Sequence, residues 1–263
     1  MNKYKKEYSV TLDDMDLEFY RLRPVAAIKY VQDAFARYTS TKRMAAYDLI
    51  PQNLYWVTTE HNMRFVDSLP FWSEKITVEL WISEISKLKF YTDYRIFYNG
   101  KPFLEGCSCW LILDMNTKRP AKTDMITEKF EVCDEMVFGN HAKFIIPEKL
   151  DKVREIKHTM NLSDIDFNNH VNNKSYINIA EMTETEEFRK TKVLEKLYVK
   201  FNRETFLGDT LNCYAYKTST PNNYIHNLIC NDVSVCDIVT QWQEQTYDTN
   251  ILEYPLKIKE EIV

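Results

Sequence analysis

Val171-Asn-Asn-Lys-Ser-Tyr-Ile-Asn-Ile-Ala-Glu-Met-Thr183 reads as a helix with apolar residues on several sides: Val171, Tyr176, Ile177, Ile179, Ala180 and Met182. A helix without a single apolar stripe is a buried one. Four runs with strand character follow it, at 193–202, 209–216, 224–231 and 234–246, and another precedes it at 155–162. A sheet curling around the helix would bury it on all those sides.

The first half of the chain repeats this order. A short strand-like piece at 8–12 leads into an acidic turn at 13–16. A helix follows, with Pro24 in its first turn and Ile28, Val31, Phe35 and Tyr38 on one stripe. Strand candidates come next. Residues 53–65 form the first. Ile76, Val78, Leu80 and Ile82 alternate with Thr77, Glu79 and Trp81 in the second. Phe90, Thr92, Tyr94, Ile96 and Tyr98 share a face in the third, Asn99-Gly100 marks a hairpin, and 103–113 closes the set. Met15-Asp16 corresponds to Ile165-Asp166, and Arg64-Phe65 with Trp72-Ser73-Glu74 to Lys200-Phe201 with Leu207-Gly208-Asp209. A duplicated unit explains these matches. The expected fold is α+β, two tandem hotdog units, each a curved antiparallel sheet wrapped around a long helix. The boundaries expected are 1–135 for the first unit, 136–154 for the connection and 155–263 for the second.

The chemistry concentrates at Asp164-Ile-Asp-Phe-Asn-Asn-His-Val-Asn-Asn173, with two Asp, four Asn and one His just before the buried helix. An elaborate helix cap accounts for one or two of these residues. It does not account for His170 together with both Asn pairs. A helix start presents free amides and partial positive charge, suited to a carbonyl oxygen becoming an oxyanion. The amides near Val171, Asn172 and Asn173 are the expected donors, with Asp166, Asn168 and His170 on one side of an extended turn around a water molecule. Glu204, in Asn202-Arg203-Glu204, ends a strand candidate that should pack near the helix and would orient His170 or act as base. A surface ion pair with Arg203 or Arg189 is the competing reading for Glu204.

Composition narrows the alternatives. The chain of 263 residues has a net charge of −5, against the basic balance of nucleic-acid binders. Only four glycines are present, with no GxGxxG or Walker A loop. The N-terminus lacks an apolar signal core, and no run of about 18 apolar residues is long enough to span a bilayer, so a cytoplasmic protein is expected. The six cysteines form no CxxC pair, and Cys107 and Cys109 should share a strand face. All six are expected as reduced, buried thiols. His61, His141, His158 and His226 sit at no metal-ligand spacing, so neither a metal nor a cofactor is expected.

The run Asp164 to Tyr176 closely resembles the active-site motif of the acyl-acyl-carrier-protein (acyl-ACP) thioesterases of plants and bacteria, and Asn202-Arg203-Glu204 resembles their second motif. Asn53-Leu-Tyr-Trp-Val57, Pro70-Phe-Trp72 and Val78-Glu-Leu-Trp81 are similar to that family too. The resemblance spans roughly residues 8–245. It implies a double hotdog, hydrolysis of fatty acyl-ACP, and catalytic roles for Asp166, Asn168, His170 and Glu204. Many plant members carry Cys after that Glu; this chain has Thr205, so a Cys nucleophile there is excluded. Water activated by Glu204 and His170, or direct attack by Asp166, remain the two mechanisms. The first half, lacking Asn and His in its turn, is expected to be catalytically silent and to wall an acyl-chain pocket with Trp56, Met63, Phe65 and Trp81. The implied partner, acyl carrier protein, is acidic, and Lys87, Lys89, Lys190, Lys192, Lys196, Lys200 and Arg203 are candidates to steer it. Hydrolysis of acyl-CoA and non-catalytic acyl binding are the alternatives. Two hotdogs in one chain suit a monomer or a homodimer.

Overall fold

The computed structural model describes residues 3–16, 21–121, 127–141, 144–166 and 169–246. Its strands are β1 (Tyr4–Ser9), β2 (Leu54–Phe65), β3 (Lys75–Ile85), β4 (Lys89–Tyr98), β5 (Lys101–Asp114), β6 (Lys152–Thr159), β7 (Lys192–Phe201), β8 (Thr210–Lys217), β9 (Asn223–Cys230) and β10 (Val233–Glu244). The helices are α1 (Pro24–Thr41), the single turn α2 (Ala46–Leu49), α3 (Asn173–Glu181) and α4 (Glu186–Thr191). All ten strands join one sheet in the order β1-β3-β4-β5-β2-β7-β10-β9-β8-β6. That order is a palindrome about its centre. β2 and β7 pair antiparallel there, from Glu60 opposite Lys200 to Arg64 opposite Lys196, and each half runs outward in the same sequence of elements.

Alternation decides which side chains face the helices. Ile76, Val78, Leu80 and Ile82 of β3 are at most 1% exposed and share the core with Val31 and Phe35 of α1 and Tyr176 and Ile179 of α3. Both helices therefore sit on the sheet's inner face in one continuous core. Trp81 points the other way. Its indole N–H donates to the Glu135 carbonyl at 2.7 Å and Lys3 lies 4.0 Å above its ring. This corrects the expectation that Trp81 walls an acyl pocket: its odd place in the β3 alternation puts it on the outer face, under the connection. Met63 and Phe65 belong to the inner core and the partly buried Trp56 packs against it, edge-on to Phe35 at 5.2 Å and to Phe90 at 5.0 Å.

The second helix is shorter than its apolar run. The Asn172 side chain accepts the Lys174 amide and starts the helix at Asn173, a cap contributing about 1 kcal/mol. Thr183, whose hydroxyl donates to the Ala180 carbonyl, follows the last turn. The connection between halves crosses the outer face. Cys133 N–H reaches the Ile82 carbonyl, Val137 N–H reaches Asp93, and Phe144 stacks on Tyr198 with centroids 3.8 Å apart.

The duplication extends to individual hydrogen bonds. Asp16 N–H to Arg21 O matches Asp166 N–H to His170 O; Leu22 N–H to Pro70 O matches Val171 N–H to Thr205 O; Arg23 N–H to Asp14 O matches Asn172 N–H to Asp164 O. Phe71 N–H to the Glu74 carboxylate likewise matches Phe206 N–H to the Asp209 carboxylate. These pairs equate His170 with Arg21, and Glu204 with Leu69.

Candidate active site

His170 stands on the turn that leads into α3. Asn169, at φ 62°, takes the left-handed conformation that Asn tolerates, and so reverses the chain. The turn closes on itself: Asp166 N–H donates to the His170 carbonyl at 2.9 Å, and His170 N–H donates to Asp166 Oδ1 at 3.3 Å. Beneath it, Asp164 accepts from the Asn161 amide and approaches His158 Nε2 at 3.0 Å. Burial pushes the Asp164 carboxyl up, but hydrogen bonds from His158 and Asn161 outweigh it and hold the group below its ordinary value.

Glu204 follows β7 and faces that turn. Its Oε2 lies 3.7 Å from His170 Nε2, a spacing at which an intervening group could bridge or a small closure could make a direct bond. The imidazole and carboxylate are each partly covered, with side-chain exposures of 19% and 27%. Phe206 covers the His170 ring edge-on at 5.3 Å. The other Glu204 oxygen accepts a hydrogen bond from Tyr55 OH at 2.9 Å, and Lys118 Nζ stands 3.8 Å from Oε2 and 3.3 Å from the phenol oxygen. Burial, then the neighbouring carboxylate, raises the Tyr55 phenol well above its ordinary value, so it acts as a donor.

Tyr55 starts β2 and Lys118 follows β5. The first half therefore supplies two side chains to a site whose imidazole and carboxylate come from the second. Nothing local in the sequence marks them, although Tyr55 lies within the Asn53 to Val57 segment that carries the family resemblance. Thr205, beside Glu204, is 2% exposed. Its hydroxyl is 2.7 Å from Tyr176 OH and its carbonyl accepts the Val171 amide. This residue has a packing role.

The helix-tip expectation needs correction at two residues. The Val171 amide is taken by the Thr205 carbonyl, and the Asn172 amide by the Asp164 carbonyl, so neither is available to an oxyanion. The reason is the isolated bridge between Ile165 and Val171, which extends the backbone as strand just before the helix begins. Asn173, the first helical residue, supplies the first amide beyond these bonds. Asn168 lies outside the described residues.

Among the described residues, the corresponding place in the first half carries no imidazole–carboxylate pair. Arg21, in the position of His170, donates to the Leu69 carbonyl at 2.8 Å and lies 4.1 Å over the Phe71 ring. Of the basic side chains expected to form a docking patch, Lys190 is paired with Glu186, Lys192 with Glu244, and Lys196 lies 3.4 Å from Glu195. Arg203 is exposed beside Glu204.

His61 and His226 are buried structural residues, at 0% and 1% exposure. Burial lowers their pKa values to about 3 and about 4. All six cysteines are free thiols. One spacing-based expectation does not describe what the fold brings together. His141, Cys107 and Asp93 are far apart in sequence, yet they offer donor atoms within 4.8 Å of one another.

Two family models match the chain: the acyl-ACP thioesterase N-terminal domain over residues 1–130 and the C-terminal domain over 148–244. The acyl-acyl-carrier-protein hydrolase FATB1, chloroplastic, of Cuphea viscosissima is 26% identical over 235 residues, covering 83% of this chain and 53% of that protein. The palmitoyl-acyl carrier protein thioesterase, chloroplastic, of Arabidopsis thaliana is 27% identical over 138 residues, 49% of this chain and 33% of its own length. The chain thus spans between a third and about half of these relatives. Among solved structures, an acyl-ACP thioesterase from Bacteroides thetaiotaomicron VPI-5482 superposes with a TM-score of 0.80 at 21% identity, covering 91% of this chain and 97% of that one. The 12:0-ACP thioesterase from Umbellularia californica does so with a TM-score of 0.79 at 15% identity, covering 92% and 98%. The shared fold is the double hotdog.

Proposed function

The chain belongs to the acyl-ACP thioesterase family, and from that premise we propose that it hydrolyses a fatty acyl-ACP thioester to free fatty acid and holo-ACP. The observation that carries the reading is the approach of His170 Nε2 to Glu204 Oε2 at the start of α3, with Tyr55 holding the second carboxylate oxygen. A structural ion pair would not require the phenol and Lys118 to converge on the same carboxylate from the other half.

A water molecule bridging Glu204 and His170 attacks the thioester carbonyl carbon. Glu204 takes its proton as the C–O bond forms. The carbonyl oxygen becomes an oxyanion near the α3 tip, where the Asn173 amide and the helix dipole face it. Collapse breaks the C–S bond, and the proton passes through His170 to the departing phosphopantetheine thiolate. Asp166 is a weaker candidate nucleophile, because its Oδ1 accepts the His170 amide and is tied into the turn. A single turnover in oxygen-18 water tests the anhydride route: attack of water on the Asp166 carbonyl of the anhydride would leave label in the Asp166 carboxylate and establish it.

The acyl chain runs inward from His170 and Glu204 along Trp56, Met63 and Phe65. The first half provides that wall and no second reaction centre. Acyl carrier protein docks over the exposed Arg203 and Lys118, its acidic surface meeting cations that border the reacting groups. Side-by-side kcat/KM values on acyl-ACPs and acyl-CoAs of equal chain length test the substrate class. Preference for acyl-ACP of at least tenfold is expected; equal rates on both, or preference for acyl-CoA, would overturn it.

A further inference from the structure

The outer face of the sheet holds a buried polar group that hydrolysis does not use. Asp93 on β4 and Cys107 on β5 are direct cross-strand partners. Asp93 is fully buried. His141, from the connection, is laid over them with only 5% of its side chain exposed, its ring stacked on Tyr91 at 4.3 Å and 7°. His141 Nδ1 is 3.3 Å from Cys107 Sγ, and Nε2 is 3.4 Å from Asp93 Oδ2 and 2.9 Å from Ser83 Oγ. Taking one donor atom from each residue, sulfur, nitrogen and oxygen lie within 4.8 Å of one another.

A polar pin between connection and sheet explains only part of this arrangement. Asp93 already accepts the Val137 amide at 2.7 Å and the Ser83 hydroxyl. Those bonds satisfy a buried carboxylate without a thiol, and S–H is a weak donor that adds little to them. Convergence of thiol, imidazole and carboxylate is instead the donor set of a borderline-soft divalent cation. Bonds of about 2.0–2.3 Å in tetrahedral geometry place donors roughly 3.3–3.8 Å apart, so a contraction of at most about 1.5 Å closes the set. Two of the donors are held in register by the sheet. The third comes from the connection rather than from the sheet. Cys107 and His141 also border a cavity of about 330 Å³, shared with Lys89, Tyr91, Tyr198 and Lys200, which leaves room for a solvent ligand.

We propose that Asp93, Cys107 and His141 form a zinc site, with the fourth coordination position open to this cavity, that clamps the connection to the outer face of the first hotdog. Binding converts the Cys107 thiol to a thiolate and releases one proton to solvent. The site is independent of the hydrolytic centre.

The test is metal binding by the full chain after chelator treatment, read without reference to activity. Titration with cobalt(II) should give visible absorption of a four-coordinate ion together with a near-ultraviolet thiolate-to-cobalt band. One equivalent of zinc should abolish both. Cys107→Ser should lose the thiolate band, and His141→Gln should weaken cobalt affinity at least tenfold. Should His141→Gln fail to fold, the thiolate band in wild type against Cys107→Ser decides alone. Wild-type cobalt spectra identical to the hydrated ion would overturn the proposal. So would a thiolate band that survives in Cys107→Ser, since five other cysteines are present.

Discussion

Replacing Tyr55 by Phe removes one oxygen atom from the site while keeping the ring. In the wild type that oxygen donates to Glu204 Oε1 at 2.9 Å and receives Lys118 Nζ at 3.3 Å. A hydrogen bond to a charged group contributes about 1.5–3 kcal/mol. The Glu204 side chain is 27% exposed, so water replaces part of the interaction and the lower half of that range applies. A cost of about 1.5–2 kcal/mol corresponds to a loss of roughly 10- to 30-fold in kcat/KM. The loss should fall on kcat, because the phenol holds the carboxylate and does not touch the acyl chain. Steady-state kinetics on an acyl-ACP, with a thermal melt to confirm folding, measure it. The reasoning also expects Tyr55→Phe and Glu204→Gln to be non-additive: once the carboxylate is an amide, loss of the phenol should cost little more. Wild-type kcat in a folded Tyr55→Phe protein, or full additivity with Glu204→Gln, would refute the idea that the first half positions the base.

Other consequences follow from packing and protonation. A Cβ added at Gly106 would lie 2.4 Å from Tyr94 OH and 2.5 Å from Tyr94 Cζ; Gly106→Ala should destabilise by about 2 kcal/mol or more, seen in urea midpoints, with partial rescue by Tyr94→Leu. His61 is buried neutral, its pKa lowered by burial to about 3. Between the unfolded value of about 6.5 and that folded value the unfolded chain binds the extra proton, so stability is present above pH ~6.5 and is lost as pH falls, by up to about 5 kcal/mol. A His61→Leu, Ser108→Ala pair should flatten that acid limb in pH-dependent denaturation. Arg21→Ala, in the counterpart of the active turn, should leave kcat on acyl-ACP within about twofold; a hundredfold loss in a folded protein would give the first half a catalytic role.

The repeat was readable because each half carries its own apolar periodicities, and the palindromic strand order follows once the halves are paired. The turn before α3 was readable because so many Asn, Asp and His residues exceed what capping requires. Tyr55 and Lys118 were not, since their meeting with Glu204 depends on the β2–β7 junction, which no local pattern specifies. The expected oxyanion donors failed for a related reason. A helix start normally leaves amides free, but here Thr205 and Asp164 of the same unit take those of Val171 and Asn172. The outward orientation of Trp81 could have been read from Val78, Leu80 and Ile82 on either side. The Asp93, Cys107 and His141 group had no signal in sequence, because ligand motifs are recognised by short spacing and these donors meet across a strand pair and a long connection.

The central measurement is single-turnover hydrolysis of an acyl-ACP by His170→Ala, Glu204→Gln and the double variant, each shown to be folded. Concerted action across the 3.7 Å between Nε2 and Oε2 predicts that each single change slows the chemical step by roughly 10²–10⁴-fold, and that the double variant is little slower than the worse single one. A folded double variant that cleaves acyl-ACP at the wild-type rate would contradict the account.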